Sequence, residues 1–337
     1  MSRPLMTFAR PAFALGSLAL LLAACAGDSL PTQPDAPPSA APVDAVLANY
    51  LPDSWAGKAN MPTARRGLVT ATVNGIVYAI GGRSANEVNL AAVEAYNPTL
   101  VLFPWKAKAS MPSPRAWPSG AVTINGKIYV PGGLNADANP TKTLFVYNPG
   151  TNTWVKKAAM PVASYGGAAV AISGKLYVVT PSGNATYLHR YDPATNTWTA
   201  RAPGLHGHYY PVAGVINGKL YVAGTMFGDE SPSSLVSMYD PGTNTWTAKS
   251  GMPEDQIGAG GRVIGGKLYA VGGFDELNTL PRALTYAYNP VTNSWAEKAP
   301  MFTPRGFLSA AAANGVLYAI GGLSTPNVLA TNQAYTP

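Results

Sequence analysis

Six times along this chain of 337 residues a tight turn runs into a strand that ends on tyrosine. The turn-strand units read Asn74-Gly75-Ile76-Val77-Tyr78, Asn125-Gly126-Lys127-Ile128-Tyr129, Ser173-Gly174-Lys175-Leu176-Tyr177, Asn217-Gly218-Lys219-Leu220-Tyr221, Gly265-Gly266-Lys267-Leu268-Tyr269 and Asn314-Gly315-Val316-Leu317-Tyr318. Asn-Gly and Gly-Gly between apolar runs mark hairpins, because a type I′ turn needs positive φ at both central residues. The six tyrosines lie 44 to 51 residues apart. A period of that size means that one supersecondary unit is repeated, and that neighbouring units bury each other's faces.

Two further markers keep the same order. A glycine pair follows the tyrosine at Gly81-Gly82, Gly132-Gly133, Gly272-Gly273 and Gly321-Gly322, whereas repeat 4 keeps only Gly224 and repeat 3 has Thr180-Pro181. A second tyrosine, at Tyr96, Tyr147, Tyr191, Tyr239 and Tyr288, opens a Tyr-Asn/Asp-Pro turn. Four of these turns reach tryptophan seven residues on, at Trp154, Trp198, Trp246 and Trp295; in repeat 1 Trp105 comes two residues later. Double glycine, tyrosine and tryptophan in this order resemble the kelch repeat over residues 55–337. The resemblance implies an all-β fold, a six-bladed kelch-type β-propeller with four strands per blade. The innermost strands should be those rich in small residues, such as Gly166-Gly167-Ala168-Ala169 and Ala310 to Ala313, because they converge on the axis. The Ala run could by propensity be helix, but it stops at Asn314-Gly315 as its counterparts do and is read as strand.

The ends of the chain complete the pattern. The last repeat stops at Tyr335-Thr336-Pro337 without a tryptophan, and Trp55 precedes the first full repeat. The strand near Trp55 is therefore expected to complete the C-terminal blade and to close the ring, which removes free sheet edges. Residues 51–337 are expected to form the propeller.

The first 24 residues read as a signal peptide: Arg3 and Arg10 precede an apolar stretch from Ala12 to Ala24, too short for a membrane-spanning helix. The stretch ends in Leu22-Ala23-Ala24-Cys25, which resembles a bacterial lipobox; the alternative is an ordinary signal peptide. Cys25 is the single cysteine and stands where the lipid, palmitate among its acyl chains, would be attached. Ala26 then implies the outer membrane, on its periplasmic or outer side. Residues 25–50, with five prolines after the cysteine, read as an extended tether. The membrane is expected to be met through the N-terminal lipid and the propeller to be a monomer.

Charge narrows the partners. Without Arg3 and Arg10 the chain holds 21 Lys and Arg against 16 Asp and Glu. For an exported lipoprotein this mild excess fits an anionic glycan better than nucleic acid, which is not expected to bind. The loops leading into the innermost strands carry a recurring position at Arg65, Arg115, Ser164, Gln256 and Arg305, with His206 or His208 in repeat 4, where the register is open. Kelch resemblance puts this position on the ligand-docking face. Three guanidiniums there would suit a carboxylate or phosphate; the alternative is that they bond loop carbonyls. Trp117, Tyr165, Tyr209, Tyr210 and Phe307 cluster nearby and suit sugar rings. The loops after the glycine pairs add Arg83, Asn86, Asn135, Asp137, Asn184, Asp229, Glu230, Asp275 and Glu276. Arg262 aligns with small residues of the innermost strands and is expected to find a polar partner in the channel.

Enzymatic readings find less support. The galactose-oxidase type of kelch enzyme needs a cysteine cross-linked to tyrosine, and the propeller has no cysteine. No Gly-x-Ser-x-Gly elbow is present. His206 and His208 share a strand face, but His189 is the only other histidine, so no metal and no cofactor are expected. A sugar mutarotase of the N-acetylneuraminate epimerase type is the enzymatic alternative, with His206 or His208 and Glu254 or Glu276 as its acid–base pair. The leading expectation is non-catalytic binding of a glycan or protein at the channel mouth, and a third reading is an interaction scaffold without a central site.

Overall fold

The computed structural model describes residues 51–182, 185–226, 232–275 and 280–337. The leader, Cys25 and the tether lie outside the described residues, as do Asn184, Asp229, Glu230 and Glu276. Six four-stranded antiparallel sheets make a six-bladed β-propeller. Blades 1 to 5 each take four consecutive strands, and blade 3 serves as an example: Ala168–Ile172, Lys175–Ser182, Ala185–Asp192 and Thr197–Gly204, from the axis outward. Blade 6 is Ser309–Ala313, Val316–Ile320 and Asn332–Thr336, with Ser54–Lys58 as its outermost strand.

The ring closes as the unpaired Trp55 implies. Trp55 pairs with Tyr335 and Lys58 with Asn332. Asp53 also takes the place that asparagine holds in other blades. In blades 2 to 5 the tyrosine hydroxyl donates to an asparagine two residues before the tryptophan, as in Tyr147 to Asn152 and Tyr191 to Asn196. That asparagine has positive φ and also accepts a backbone N–H from the preceding blade, Ala109 to Asn152 for example. In blade 6 Tyr335 donates to Asp53 at 2.6 Å, and Asp53 accepts from Ala299 N–H at 2.9 Å.

The tryptophans of the outermost strands join the blades. Each of the six donates its indole N–H to a carbonyl of the blade before it, from Trp55 to Ala299 through Trp295 to Ser250, at 2.7–3.0 Å. Their rings pack on the tyrosine of the same turn at 4.9–5.2 Å between centroids. The apolar cores lie between blades; one contains Val271, Tyr269, Leu317 and Tyr335, from blades 5 and 6. The Ala310–Ala313 run is strand, against its helical propensity, because each residue pairs with one of Val316–Ala319.

The glycine pairs have a packing reason. A Cβ on the first glycine would lie 2.4–2.5 Å from a backbone carbonyl of the next blade, at Gly81, Gly132, Gly272 and Gly321. The second glycine donates its N–H to that same carbonyl, of Arg115, Ser164, Arg305 and Arg65 respectively. Only residues without a side chain let the two backbones approach this closely.

Candidate binding site at the channel mouth

The loops between blades cross the face where the outermost strand of one blade leads to the innermost strand of the next. Two positions in these loops recur, two residues apart, and they point in opposite directions.

The first is the arginine-bearing position. Its members are Arg65, Arg115, Ser164, His208, Gln256 and Arg305, all buried. The sequence suggests that they ring the mouth and meet a ligand. Instead the side chains turn into the protein, five of them toward their own blade and Ser164 toward the blade before it. Arg65 Nη1 donates to Glu94 at 2.7 Å and Nη2 to the Ala79 carbonyl at 3.0 Å. Arg305 Nη2 donates to the Ala319 carbonyl at 3.0 Å. Gln256 donates to the Gly272 carbonyl at 2.7 Å, and His208 Nδ1 lies 3.3 Å from the Gly224 carbonyl. Arg115 bonds the Pro114 carbonyl and Thr143 and lies over Phe145, and Ser164 bonds Ser119. This ring is an anchor: Arg65, His208, Gln256 and Arg305 meet carbonyls at the inner ends of their blades, where buried backbone groups need partners. Burial pushes the Arg305 pKa down to about 10, so it stays charged at neutral pH. Desolvation also lowers Arg65, and Glu94 opposes that shift.

The open register of repeat 4 resolves to His208, which bonds as Gln256 does. Its Nε2 lies 3.4 Å from Ser237, so both ring nitrogens face protein groups. Burial pushes its pKa down to about 4; the Gly224 carbonyl works against that and His206 adds to it. The His206 ring lies 6.4 Å from that of His208, and His189 packs on Tyr187 in blade 3. Glu254 bonds Tyr286 and pairs with Arg282. Of the mutarotase candidates, His208 and Glu254 are thus taken up by other partners, and Glu276 lies outside the described residues. The loop residues after the glycine pairs brace their own loops: Asp275 accepts from Leu280, Asn135 from Asp137, and Arg83 pairs with Glu87.

The second position, two residues on, forms the lip. It alternates: Gly67, Trp117, Gly166, Tyr210, Gly258, Phe307. All six have positive φ, between 45° and 66°. Five backbone hydrogen bonds link them in a row from Gly258 through Phe307, Gly67, Trp117 and Gly166 to Tyr210. Trp117 N–H donates to Gly67, Gly166 to Trp117, Tyr210 to Gly166, Phe307 to Gly258 and Gly67 to Phe307, at 2.6–2.9 Å. Each aromatic ring lies over the glycine of the blade before it. A Cβ on Gly67 would lie 2.5 Å from the Trp117 ring, and on Gly166 or Gly258 2.6 Å from the Tyr210 or Phe307 ring. Three aromatics and three glycines thus give the lip an approximate threefold pattern. Phe307 touches Trp117 and Tyr210 at 6.2 and 5.3 Å, and Tyr165 and Tyr209 extend the aromatic surface one step outward. Arg66 and Arg83 lie 6.0 and 5.8 Å from the Trp117 ring, and both pair with Glu87.

Below the lip the channel opens to about 680 Å³, counted out to solvent, and Arg262 forms its floor. A second recess of about 690 Å³ lies on the far side of the same arginine. Arg262 sits opposite Tyr269, in the register that Ala71 opposite Tyr78 and Val170 opposite Tyr177 share. Its guanidinium crosses the axis and donates to the carbonyls of Thr70 and Ala121, in blades 1 and 2. Among the described residues no carboxylate lies within 4.0 Å of it. Desolvation pushes its pKa down to about 10, so at neutral pH it is a cation, with no counter-ion among the described residues.

The comparisons agree with this architecture. The Kelch motif matches residues 64–100, 118–161, 207–253 and 258–302, just over half of the chain. The chain belongs to the kelch-repeat family of β-propellers. Kelch-like protein 41a of Danio rerio is 32% identical over 178 residues, 52% of this chain and 28% of the relative. An F-box/kelch-repeat protein of Arabidopsis thaliana is 36% identical over 103 residues, 30% of this chain and 27% of its own. Beta-scruin of Limulus polyphemus is 32% identical over 114 residues, 32% of this chain and 12% of its own. The chain thus spans less than a third of the length of these relatives. The solved structure of YjhT superposes with a TM-score of 0.69 at 18% identity, over 81% of this chain and 95% of that one, which places the two in the same fold.

Proposed function

We propose that this protein is a lipid-anchored propeller of the bacterial cell envelope that binds a small anionic glycan, or an acidic group of a protein partner, at the aromatic lip. The observation that carries the reading is Arg262: a guanidinium without a carboxylate partner among the described residues, at the floor of an open mouth lined by aromatic rings. A carboxylate descending through the lip would supply the missing counter-charge where water screens least. The faces of Trp117, Tyr210 and Phe307 would stack on the C–H face of a sugar. Binding without catalysis suits the site, because His208 is sealed in its blade. Anchoring through Cys25 in the outer membrane rests on the leader sequence.

The test is a thermal-shift screen of residues 43–337 against acidic sugars, uronate oligomers and their neutral counterparts. An acidic sugar is expected to raise Tm in the wild type and to lose that effect in Arg262→Met, which keeps the aliphatic stem. Equal shifts for neutral and acidic sugars, or a shift that survives in Arg262→Met, would remove Arg262 from the site. Palmitate labelling that persists in Cys25→Ala would remove the anchor.

A further inference from the structure

The face opposite the lip carries the turns inside the blades, and blade 1 breaks their pattern. Blades 2 to 5 place asparagine two residues before the tryptophan, and blade 6 places Asp53 there. Blade 1 places Phe103, with the same positive φ, in a turn two residues longer that reads Leu100-Val101-Leu102-Phe103. The bond that asparagine makes to the neighbouring blade is given up. In its stead four apolar side chains stand in solvent, with Val101 93%, Leu102 74% and Phe103 89% exposed. Consecutive apolar residues at a loop tip gain nothing in water, and such patches mark contact surfaces.

The neighbouring blades continue the surface. Leu51 beside the closing turn of blade 6 and Val291 in the corresponding turn of blade 5 are exposed. The first hairpin of each blade turns on this face too. Blades 6 and 1 begin its second strand with Val316 and Ile76, where blades 2 to 5 have lysine. Lys175 and Lys219 are paired with Asp192 and Asp240. Lys127 of blade 2 and Lys267 of blade 5, at the two borders of the apolar sector, have no carboxylate within 4.0 Å among the described residues. Exposed Lys106 follows the inserted loop. An apolar sector bordered by unneutralised lysines fits the acyl boundary and the charged headgroups of an anionic bilayer. The described chain also begins on this face, since Leu51 accepts from Ser54 in the closing turn.

We infer that blades 5, 6 and 1 rest on an anionic phospholipid surface, with Leu100–Phe103 dipping into it and the aromatic lip turned away. The inference leans on the lipoprotein reading only for which bilayer is within reach. The surface itself is made by residues 51–337, whose blades form a closed ring without the leader.

Flotation of residues 43–337, which lack Cys25, with vesicles of phosphatidylethanolamine and phosphatidylglycerol tests the surface apart from any lipid anchor and apart from the lip. The wild type is expected to float, and Leu102→Ser with Phe103→Ser to reduce the bound fraction by about tenfold at unchanged Tm. Lys127→Glu with Lys267→Glu should weaken binding on these vesicles. Wild-type protein that stays at the bottom of the gradient overturns the inference, as does a serine double variant that floats equally well. A dimer in sedimentation that the same serine variant dissolves would overturn it too, and would give the surface to a second copy of the chain.

Discussion

The two rings at the channel mouth differ by two residues in sequence and by everything in role. The anchor ring holds the charged and amide groups and points them into the blades. The lip ring holds aromatics and glycines and shows them to the channel. A side chain that looks made for a ligand can thus be fully used by the fold, whereas the position beside it, held by backbone hydrogen bonds, is left free for recognition. The anchor ring also varies from blade to blade. In blade 1 Glu94 accepts from Arg65 and from Thr63. In blade 6 the same places hold Gln333, Arg305 and Thr303, and Gln333 reaches Thr303 alone. Arg305 therefore keeps Nε and Nη1 without partners among the described residues, while Arg65 leaves only Nε.

If the contrast holds, substitutions in the anchor ring change stability and substitutions in the lip change binding. The largest effect should come from Arg65→Ala, which strands Glu94 in a buried site and should cost about 3–5 kcal/mol, read from chemical denaturation. A variant that melts like the wild type would mean that the anchor role is misassigned. Next comes His208. Its folded pKa of about 4 lies below the ordinary histidine value of 6.5, so the unfolded chain binds the extra proton. Its contribution is therefore whole above pH 6.5 and is lost as pH falls toward 4, by about 3 kcal/mol. His208→Gln copies the Gln256 arrangement and should flatten the stability profile between pH 6.5 and 4; an unchanged profile would assign the acid sensitivity to another group. The smallest stability effect is expected for Trp117→Gly. Glycine already serves three lip positions at this φ, and the Trp117 ring is only half-buried. The change should therefore stay below about 2 kcal/mol. The acidic-sugar shift should nevertheless disappear. Large destabilisation with ligand binding intact would invert the assignment of the two rings.

The blades were legible because their markers are bonds repeated in register. Each of the six tryptophans that cap a turn donates to the blade before it, so its spacing had to recur. The closing strand was legible from Trp55 for the same reason. The site was legible in its parts and not in its arrangement. Trp117, Tyr210, Phe307 and Arg262 all stand out in the sequence, but which way an arginine turns depends on whether a carbonyl such as that of Ala79 needs a donor, and no local pattern carries that. A signal was there: aligned on the anchor position, the residue two places on alternates between glycine and aromatic in all six repeats. The register of repeat 4 hid it, because Tyr210 falls into line only when His208 is the anchor.

Asp53 and Tyr335 meet across 282 residues. Blade 6 thus cannot form before Asn332–Thr336 has been made; of the ring's strands its inner three come last and its outer one comes first. Until that strand arrives, an emerging molecule is an arc with two open edges, each able to pair with another unfinished arc. A contact this distant in sequence also places completion late in folding. Loss of Asn332–Thr336 would leave a protein that is not slightly shorter but unsealed.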